Sequence, residues 1–99
     1  DVMQLPDGRV LAVYGYRKAP WGVRGCVSED GMTWDIKNEF VIREGGAAPP
    51  ESSPRSGWYG HIGYPSVTQL KDGTIITAFH EYSDDKPPIQ YLRCTRFKL

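Results

Sequence analysis

Apolar residues along this chain rarely recur at the three- and four-residue spacing of an amphipathic helix. They fall instead in short runs separated by glycine, proline and aspartate, the pattern of short strands joined by turns. The sequence therefore predicts an all-β fold. No apolar run approaches the 18 or so residues that span a bilayer, so we expect no membrane partner.

One segment of the chain occurs twice. Residues 2–14 align without a gap on residues 67–79, an offset of 65. Each copy holds an Asp-Gly pair between an apolar run and a β-branched or aromatic run, which predicts a tight hairpin because both residues tolerate positive φ angles. Further strands are predicted at residues 22–28 and 33–42 after the first copy, and at 89–97 after the second. We therefore expect four strands and then three.

A repeated unit of four antiparallel strands is typical of a β-propeller blade. We predict a first blade over residues 1–42 and a second, lacking its outer strand, over residues 64–99. Residues 43–63 form a connecting loop rich in Gly, Pro and Ser. This stretch is either a low-complexity linker or a binding loop. Its Trp58, Tyr59 and His61 favour a binding loop, since linkers seldom carry clustered aromatic residues.

The third and fourth predicted strands are joined by the sequence Ser-Glu-Asp-Gly-Met-Thr-Trp, residues 28–34. This segment resembles the Asp box of sialidases and related propellers. It has one residue fewer between the aspartate and the Thr-Trp pair, as do turns in five-bladed glycosidase propellers. We expect a structural turn whose polar side chains bind its own backbone and whose Trp34 ring packs between neighbouring sheets. The residues that carry it are Ser28, Asp30, Gly31, Thr33 and Trp34.

Residues 63–76 are similar to the first-strand segment of sialidase-like propellers, and residues 14–17 and 22–24 are similar to the continuation of such a blade. With the shortened box, these matches cover about two thirds of the chain. The resemblance implies about one and three-quarter blades of a six-bladed propeller of the Asp-box, or BNR, superfamily. It also implies a carbohydrate-related function and, for the family in general, secretion or a periplasmic location.

The catalytic groups that the resemblance implies are incomplete in this chain. Sialidases bind the substrate carboxylate with three arginines, use a tyrosine paired with a glutamate as nucleophile, and place an aspartate as acid/base. Gly63 stands where the first arginine would be, and residues 18–21 include no carboxylate. Two functions therefore stay open: an exo-sialidase-type glycoside hydrolase if the full propeller is catalytic, or a non-catalytic propeller that binds glycan or protein or serves as a scaffold.

Because strands alternate in direction within a blade, the Asp-Gly hairpins and the Asp box are expected on one face of the propeller and the remaining connections on the other. That second face combines aromatic rings with arginines, which suits a sugar. The predicted substrate-binding residues are Arg17, Trp21, Trp58, Tyr59, His61 and Tyr64. Arg17 is a candidate partner for a substrate carboxylate, or else a solvated or structural arginine. The tryptophans bind ligand or pack between blades.

The other polar residues expected near that face carry alternatives too. His61 is either a general acid or base or a structural histidine, and His80 is expected to serve as strand packing. Tyr64 lines the pocket or packs between blades, in the extended conformation that a following proline favours. Asp84 and Asp85 are either calcium ligands or a solvated turn. Further polar groups expected in loops at this face are Arg55, Glu81, Tyr82 and Lys86.

The net charge and the cysteine content limit the partners and cofactors expected for this chain. Twelve basic and twelve acidic residues give zero net charge, so no electrostatic attraction to nucleic acid is expected. Cys26 and Cys94 lack the spacing of a zinc site and are expected to be buried thiols, and we expect no metal and no cofactor. Because two blades cannot close a ring, the chain is either part of a longer protein or a homo-oligomer, with three copies completing six blades.

Overall fold

The structure of the chain, a computed structural model, describes residues 1–46, 62–85 and 88–99. These residues form two antiparallel sheets, and the predicted all-β fold is confirmed. The strands are β1 (Val2–Gln4), β2 (Val10–Tyr16), β3 (Gly22–Ser28), β4 (Glu39–Glu44), β5 (Gly63–Gln69), β6 (Ile75–Tyr82) and β7 (Gln90–Phe97).

The first sheet has the strand order β1-β2-β3-β4 and the second has the order β5-β6-β7, so the described strands number four and three, as expected. The fourth strand begins later than the sequence predicts. Asp35 accepts a hydrogen bond from the Lys37 N–H at 3.0 Å and starts a single turn of 3-10 helix over Ile36–Asn38. The chain therefore becomes extended only at Glu39.

The sequence repeat is reproduced in the register of the two N-terminal hairpins. Met3 pairs with Leu11 in the first sheet, and Thr68 pairs with Ile76 in the second. Thr68 lies 65 positions after Met3, and Ile76 lies 65 positions after Leu11, so the second pair is the equivalent of the first. The two segments therefore adopt the same strand pairing as well as similar sequences.

The two Asp-Gly turns also share their hydrogen bonds. The Gly8 N–H donates to the Leu5 carbonyl at 3.0 Å, and the Gly73 N–H donates to the Leu70 carbonyl at 3.0 Å. The glycine φ angles are 94° and 89°, a region that glycine enters without a steric penalty. The Asp-Gly pairs thus form one turn geometry twice.

Each sheet has two faces that the repeat makes equivalent. We call the front face the side that carries Leu11 and Val13 in the first sheet and their 65-residue equivalents Ile76 and Ala78 in the second. The back face is the opposite side, with these residues near its centre: Val10, Ala12 and Tyr14 in the first sheet, and Ile75, Thr77 and Phe79 in the second.

The front face of the first sheet packs against the back face of the second. Leu11, Val13 and Ile75 form the buried core together with Leu5, and β5 lies against β2. Phe40 of β4 meets Phe97 of β7 edge to face, with ring centroids 5.6 Å apart. The two sheets therefore stack front to back, in the same sense, and not face to face about a two-fold axis.

One expectation about burial is wrong. Cys26 is buried, but Cys94 is exposed, because it lies opposite Ala78 on the front face of the second sheet, which none of the described residues covers. Neither cysteine forms a disulfide. Trp34 lies in the turn before β4 and its side chain is 41% exposed, so its packing between neighbouring sheets stays a prediction.

Candidate functional site

The connections between strands gather at two ends of the stacked sheets. The Asp-Gly turns and residues 29–38 lie at one end, which we call the turn end. Residues 17–21 after β2, Gly45 and Gly46 after β4, the end of β6 and the start of β5 lie at the other, the loop end. Two backbone hydrogen bonds join these segments, from the Gly45 N–H to the Trp21 carbonyl at 2.9 Å and from the Tyr82 N–H to the Gly46 carbonyl at 2.7 Å.

Three rings and one guanidinium form a continuous row at the loop end. Tyr64 stacks on His80 with ring centroids 5.3 Å apart and an interplanar angle of 28°. His80 in turn meets Tyr82 edge to face at 6.3 Å. The Arg17 guanidinium carbon lies 5.7 Å from the centre of the Tyr64 ring, within cation–π range. We call these four residues the aromatic row.

The backbone of Tyr64 differs from the extended conformation expected before Pro65. Its φ angle is 46°, in the left-handed region that bulky residues rarely adopt. The side chain is nevertheless 70% exposed, so the conformation does not serve to bury the ring. Strained backbone of this kind concentrates at functional sites, where the surrounding structure enforces it.

Trp21 shows the same backbone feature in the neighbouring connection. Its φ angle is 63°, its side chain is half-buried, and its N–H donates to the Lys18 carbonyl. Because Gly45 binds the Trp21 carbonyl, the turn after β2 is tied to the end of β4. Trp21 thus shapes the rim of the loop end beside the aromatic row.

A buried carboxylate lies under the aromatic row. Glu81 is 0% exposed, and its Oε2 atom forms an ion pair with Arg43 Nε at 2.8 Å. Arg93 Nε forms a second ion pair with Oε1, and the Tyr91 hydroxyl donates to the same oxygen. We call these four residues the ion cluster. It spans both sheets, since Arg43 belongs to β4 and the other three to β6 and β7.

Opposing effects set the ionisation of Glu81. Burial by itself raises the pKa of the carboxyl group, but the hydrogen bonds and charges of Arg43, Tyr91 and Arg93 outweigh it, and the pKa lies below its usual range. The carboxylate is therefore ionised at neutral pH and is a weak base. Its two arginines remain partly exposed at the loop end.

Strand alternation links the ion cluster to the aromatic row. His80 and Tyr82 point to the front face of β6, and Glu81 between them points to the back face, into the space between the sheets. The ion cluster joins the end of β6 to β4 through the back face of the second sheet. It thereby fixes the position from which His80 and Tyr82 present their rings.

A second polar group lies on the back face of the first sheet. The Tyr14 hydroxyl donates to the Glu39 carboxylate, and burial together with this carboxylate raises the pKa of Tyr14. The Arg24 guanidinium lies 4.4 Å from the centre of the Tyr16 ring. Burial also raises the pKa of the Cys26 thiol, which keeps it protonated and unreactive at neutral pH.

The segment that resembles an Asp box forms a hydrogen-bonded turn. One carboxylate oxygen of Asp30 accepts the N–H groups of Met32 at 2.9 Å and Thr33 at 2.8 Å. Ser28 donates its hydroxyl to the Thr33 carbonyl at 2.6 Å and accepts the Gly31 N–H at 2.9 Å. The bonds from the Thr33 and Met32 N–H groups lower the pKa of Asp30 to about 2. These contacts are those of a structural turn, at the end opposite the aromatic row.

The structure brings together two of the predicted binding residues, Arg17 and Tyr64, and places Trp21 at the adjoining rim. Trp58, Tyr59 and His61 lie outside the described residues, as do Arg55 and Lys86. Asp84 and Asp85 are exposed. Within the described ranges, no group of three His, Cys, Asp or Glu side chains is arranged to hold a metal ion.

Sequence reasoning missed His80 and the ion cluster. His80 was expected only to pack, and Glu81 and Tyr82 were expected in a loop, whereas all three belong to β6. The alternation of Ile75, Thr77 and Phe79 extends to position 81 and marks that position as buried. A glutamate at a position that the pattern marks as buried is the signal that indicates the ion cluster, because a buried carboxylate needs cationic partners.

A shallow groove of about 570 Å³ lies at the turn end, between β1 and β5. Its lining contains no charged side chain, and it consists of Met3, Gln4, Leu5, Pro6, Gly8, Thr68 and Gln69. The groove therefore offers few groups that could orient a polar ligand. The loop end, with its rings and arginines, is the stronger candidate site.

Comparisons of the chain with protein-family models, with curated proteins and with solved structures give no match. No helix among the described residues is long and apolar enough to cross a membrane.

Proposed function

We propose that the chain is a sialidase-like β-propeller module whose loop end binds carbohydrate. Three features support the propeller interpretation: the repeated hairpin, its conserved register, and the front-to-back stacking of the two sheets. In a propeller, each blade packs its front face on the back face of the next blade around a common axis. Two equivalent sheets stacked in the same sense meet that requirement.

The observation that carries the binding proposal is the aromatic row. The exposed Tyr64 ring, stacked on His80, offers a flat apolar surface beside polar groups. The C–H face of a pyranose packs on such a ring while its hydroxyl groups bind neighbouring polar side chains. A sugar is therefore the ligand class that best fits the row.

Arg17 adds a preference for acidic sugars. Its side chain is exposed at the loop end, next to the Tyr64 ring. A guanidinium binds a carboxylate through two parallel hydrogen bonds, with a geometry that a neutral sugar cannot match. We therefore infer that a sugar carrying a carboxylate, such as a sialoside, binds more tightly than a neutral one.

Binding without catalysis is the function we favour for this chain. Tyr91 and Glu81 are a tyrosine–glutamate pair, as the sialidase resemblance implies for a nucleophile. However, Glu81 holds two arginines and its pKa is lowered, so it is a poor base for deprotonating a tyrosine hydroxyl. The ion cluster is better suited to joining the sheets than to activating a nucleophile.

Titration calorimetry with 3′-sialyllactose and with lactose tests the proposal. The acidic sugar should bind more tightly than lactose, and Arg17→Ala should remove that difference, whereas Arg9→Ala at the turn end should not change it. Absence of binding to the unaltered chain would overturn carbohydrate recognition and favour a scaffold role. Turnover of a fluorogenic sialoside by the unaltered chain would instead favour the hydrolase.

A further inference from the structure

The two sheets are equivalent units whose equivalent faces have different surroundings. On the front face, Leu11 and Val13 of the first sheet are buried, whereas their counterparts Ile76 and Ala78 in the second are half-buried and exposed. None of the residues that the structure describes covers the front face of the second sheet, whereas the equivalent surface of the first sheet is covered.

The back faces show the reverse pattern. Phe79 and Thr77 of the second sheet are buried, whereas their counterparts Tyr14 and Ala12 in the first are only half-buried. Val2, also on this face, is 63% exposed. On their two outer sides, the described residues therefore present one open front face and one back face that is open except around Cys26 and Ser28, which are buried.

We propose that the front face of the second sheet binds the back face of the first sheet in a second copy of this chain. The partner is identified by continuity with the interface inside the chain, where a front face already packs on a back face. A contact between two different faces leaves each bound copy with one face open. Further copies can therefore add until the rotation closes a ring, and three copies would supply six sheets.

The chemistry of the two faces fits this contact. The front face of the second sheet presents Ala78 and also Leu92, which is 82% exposed and lies opposite His80, with Arg96 on the same strand and face as Leu92. The back face of the first sheet presents Ala12 and carries Glu39 two strands away. In the interface inside the chain, the front face likewise supplies an arginine, Arg43, and the back face a glutamate, Glu81. In both contacts the front face therefore carries the positive charge and the back face the negative charge.

Two variants each block one face. Ala78→Arg places a charge on the exposed front face, and Ala12→Arg places one on the back face. Ala19→Arg, in the connection after β2 and on neither face, is the matched control. Because Ala12 is half-buried, circular dichroism should verify that its variant folds. Leu92→Arg, at a highly exposed position, gives a second front-blocked variant whose fold is not in question.

Light scattering at about 100 µM measures the result. The unaltered chain and the Ala19→Arg control should form particles heavier than the 11.2 kDa of one chain. Each blocked variant should have the mass of one chain. A mixture of front-blocked and back-blocked variants should form particles of two chains and no larger, because only one intact contact is left to each pair.

Three outcomes would overturn the proposal: an unaltered chain that has the mass of one copy, variants that associate as the unaltered chain does, or a mixture that does not pair. The inference rests on the blade arrangement of the proposed function and not on the ligand. Sialyllactose binding by folded Ala12→Arg, whose substitution lies in the first sheet away from the aromatic row, distinguishes failure of association from failure of carbohydrate recognition.

Discussion

Arg43 of β4 and Glu81 of β6 form an ion pair across the two sheets, with Arg43 Nε 2.8 Å from Glu81 Oε2. The glutamate is fully buried, and the arginine reaches it from the front face of the first sheet. Elsewhere between the sheets, Leu11 and Ile75 pack in the core, and an Asp1 carboxylate oxygen accepts hydrogen bonds from the Ser66 hydroxyl and the Val67 N–H. The ion pair joins the sheets at the loop end, where the aromatic row lies.

Removing the buried carboxylate should destabilise the chain. In Glu81→Ala the two arginines lose their partner, but they reach water, so we expect a loss of about 2 kcal/mol and not the larger cost of a stranded buried charge. Urea unfolding, followed by tryptophan fluorescence, measures the change. The exposed pair of Arg9 and Asp7 is the matched control, and Arg9→Ala, which keeps the backbone hydrogen bond that Asp7 accepts in the turn, should have a much smaller effect. Equal losses in the two variants would show that Glu81 does not join the sheets.

The Asp30 turn should give a pH-dependent contribution to stability. The pKa of Asp30 is about 2 in the folded chain, against an ordinary value of 3.8. Because the folded pKa is the lower one, the stabilisation is fully present above about pH 4 and is lost as the pH falls toward 2. Melting temperatures of the unaltered chain and of Asp30→Asn should therefore differ at pH 6 and converge at low pH. A difference that stays constant would contradict this assignment, and Glu29→Gln, at the exposed neighbouring position, provides the control.

The equivalence of the two Asp-Gly turns predicts equivalent responses to substitution. A methyl group at Gly8 or Gly73 would meet no atom within 4 Å, so only the backbone strain of a positive φ remains. We expect Gly8→Ala and Gly73→Ala each to lower the free energy of unfolding by about 1 kcal/mol, and the Asn variants to lower it less. Chemical denaturation measures all four. A clear inequality between the two alanine variants would indicate that the turns differ in structure.

The ring of Tyr64, and not its hydroxyl group, should determine sugar binding. Tyr64→Phe keeps the stacking on His80 and should bind 3′-sialyllactose with little change, whereas Tyr64→Ala should bind about tenfold more weakly. Calorimetry on the two variants tests this expectation. If Tyr64→Phe were as weak as Tyr64→Ala, the hydroxyl would be the binding group and the stacking model would be wrong.

The two hairpins could be predicted from the sequence because their signals are local. Asp-Gly pairs between short apolar runs specify turn type and register within a few residues of the chain, and the offset of 65 shows that the two hairpins are copies. The start of β4 was harder to predict from the sequence. Its position depends on Asp35, which accepts the Lys37 N–H and holds a helical turn that the apolar pattern does not indicate.

The candidate site could be predicted only in part. Arg17 and Tyr64 were recognisable because they flank strands at one end, but their proximity depends on how two sheets distant in sequence stack. The φ angle of Tyr64 runs against the local preference set by Pro65, and tertiary packing overrides that preference. Glu81 was assigned to a loop because the length of β6 depends on its pairing with Tyr91 across the sheet.

Amide chemical-shift mapping of the isotope-labelled chain during titration with 3′-sialyllactose tests carbohydrate recognition most directly. We expect the shifts to cluster around Arg17, Tyr64, His80 and Tyr82, with the groove at the turn end unchanged. Shifts confined to the turn end, or none at millimolar sugar, would contradict the assignment of the aromatic row as the binding site.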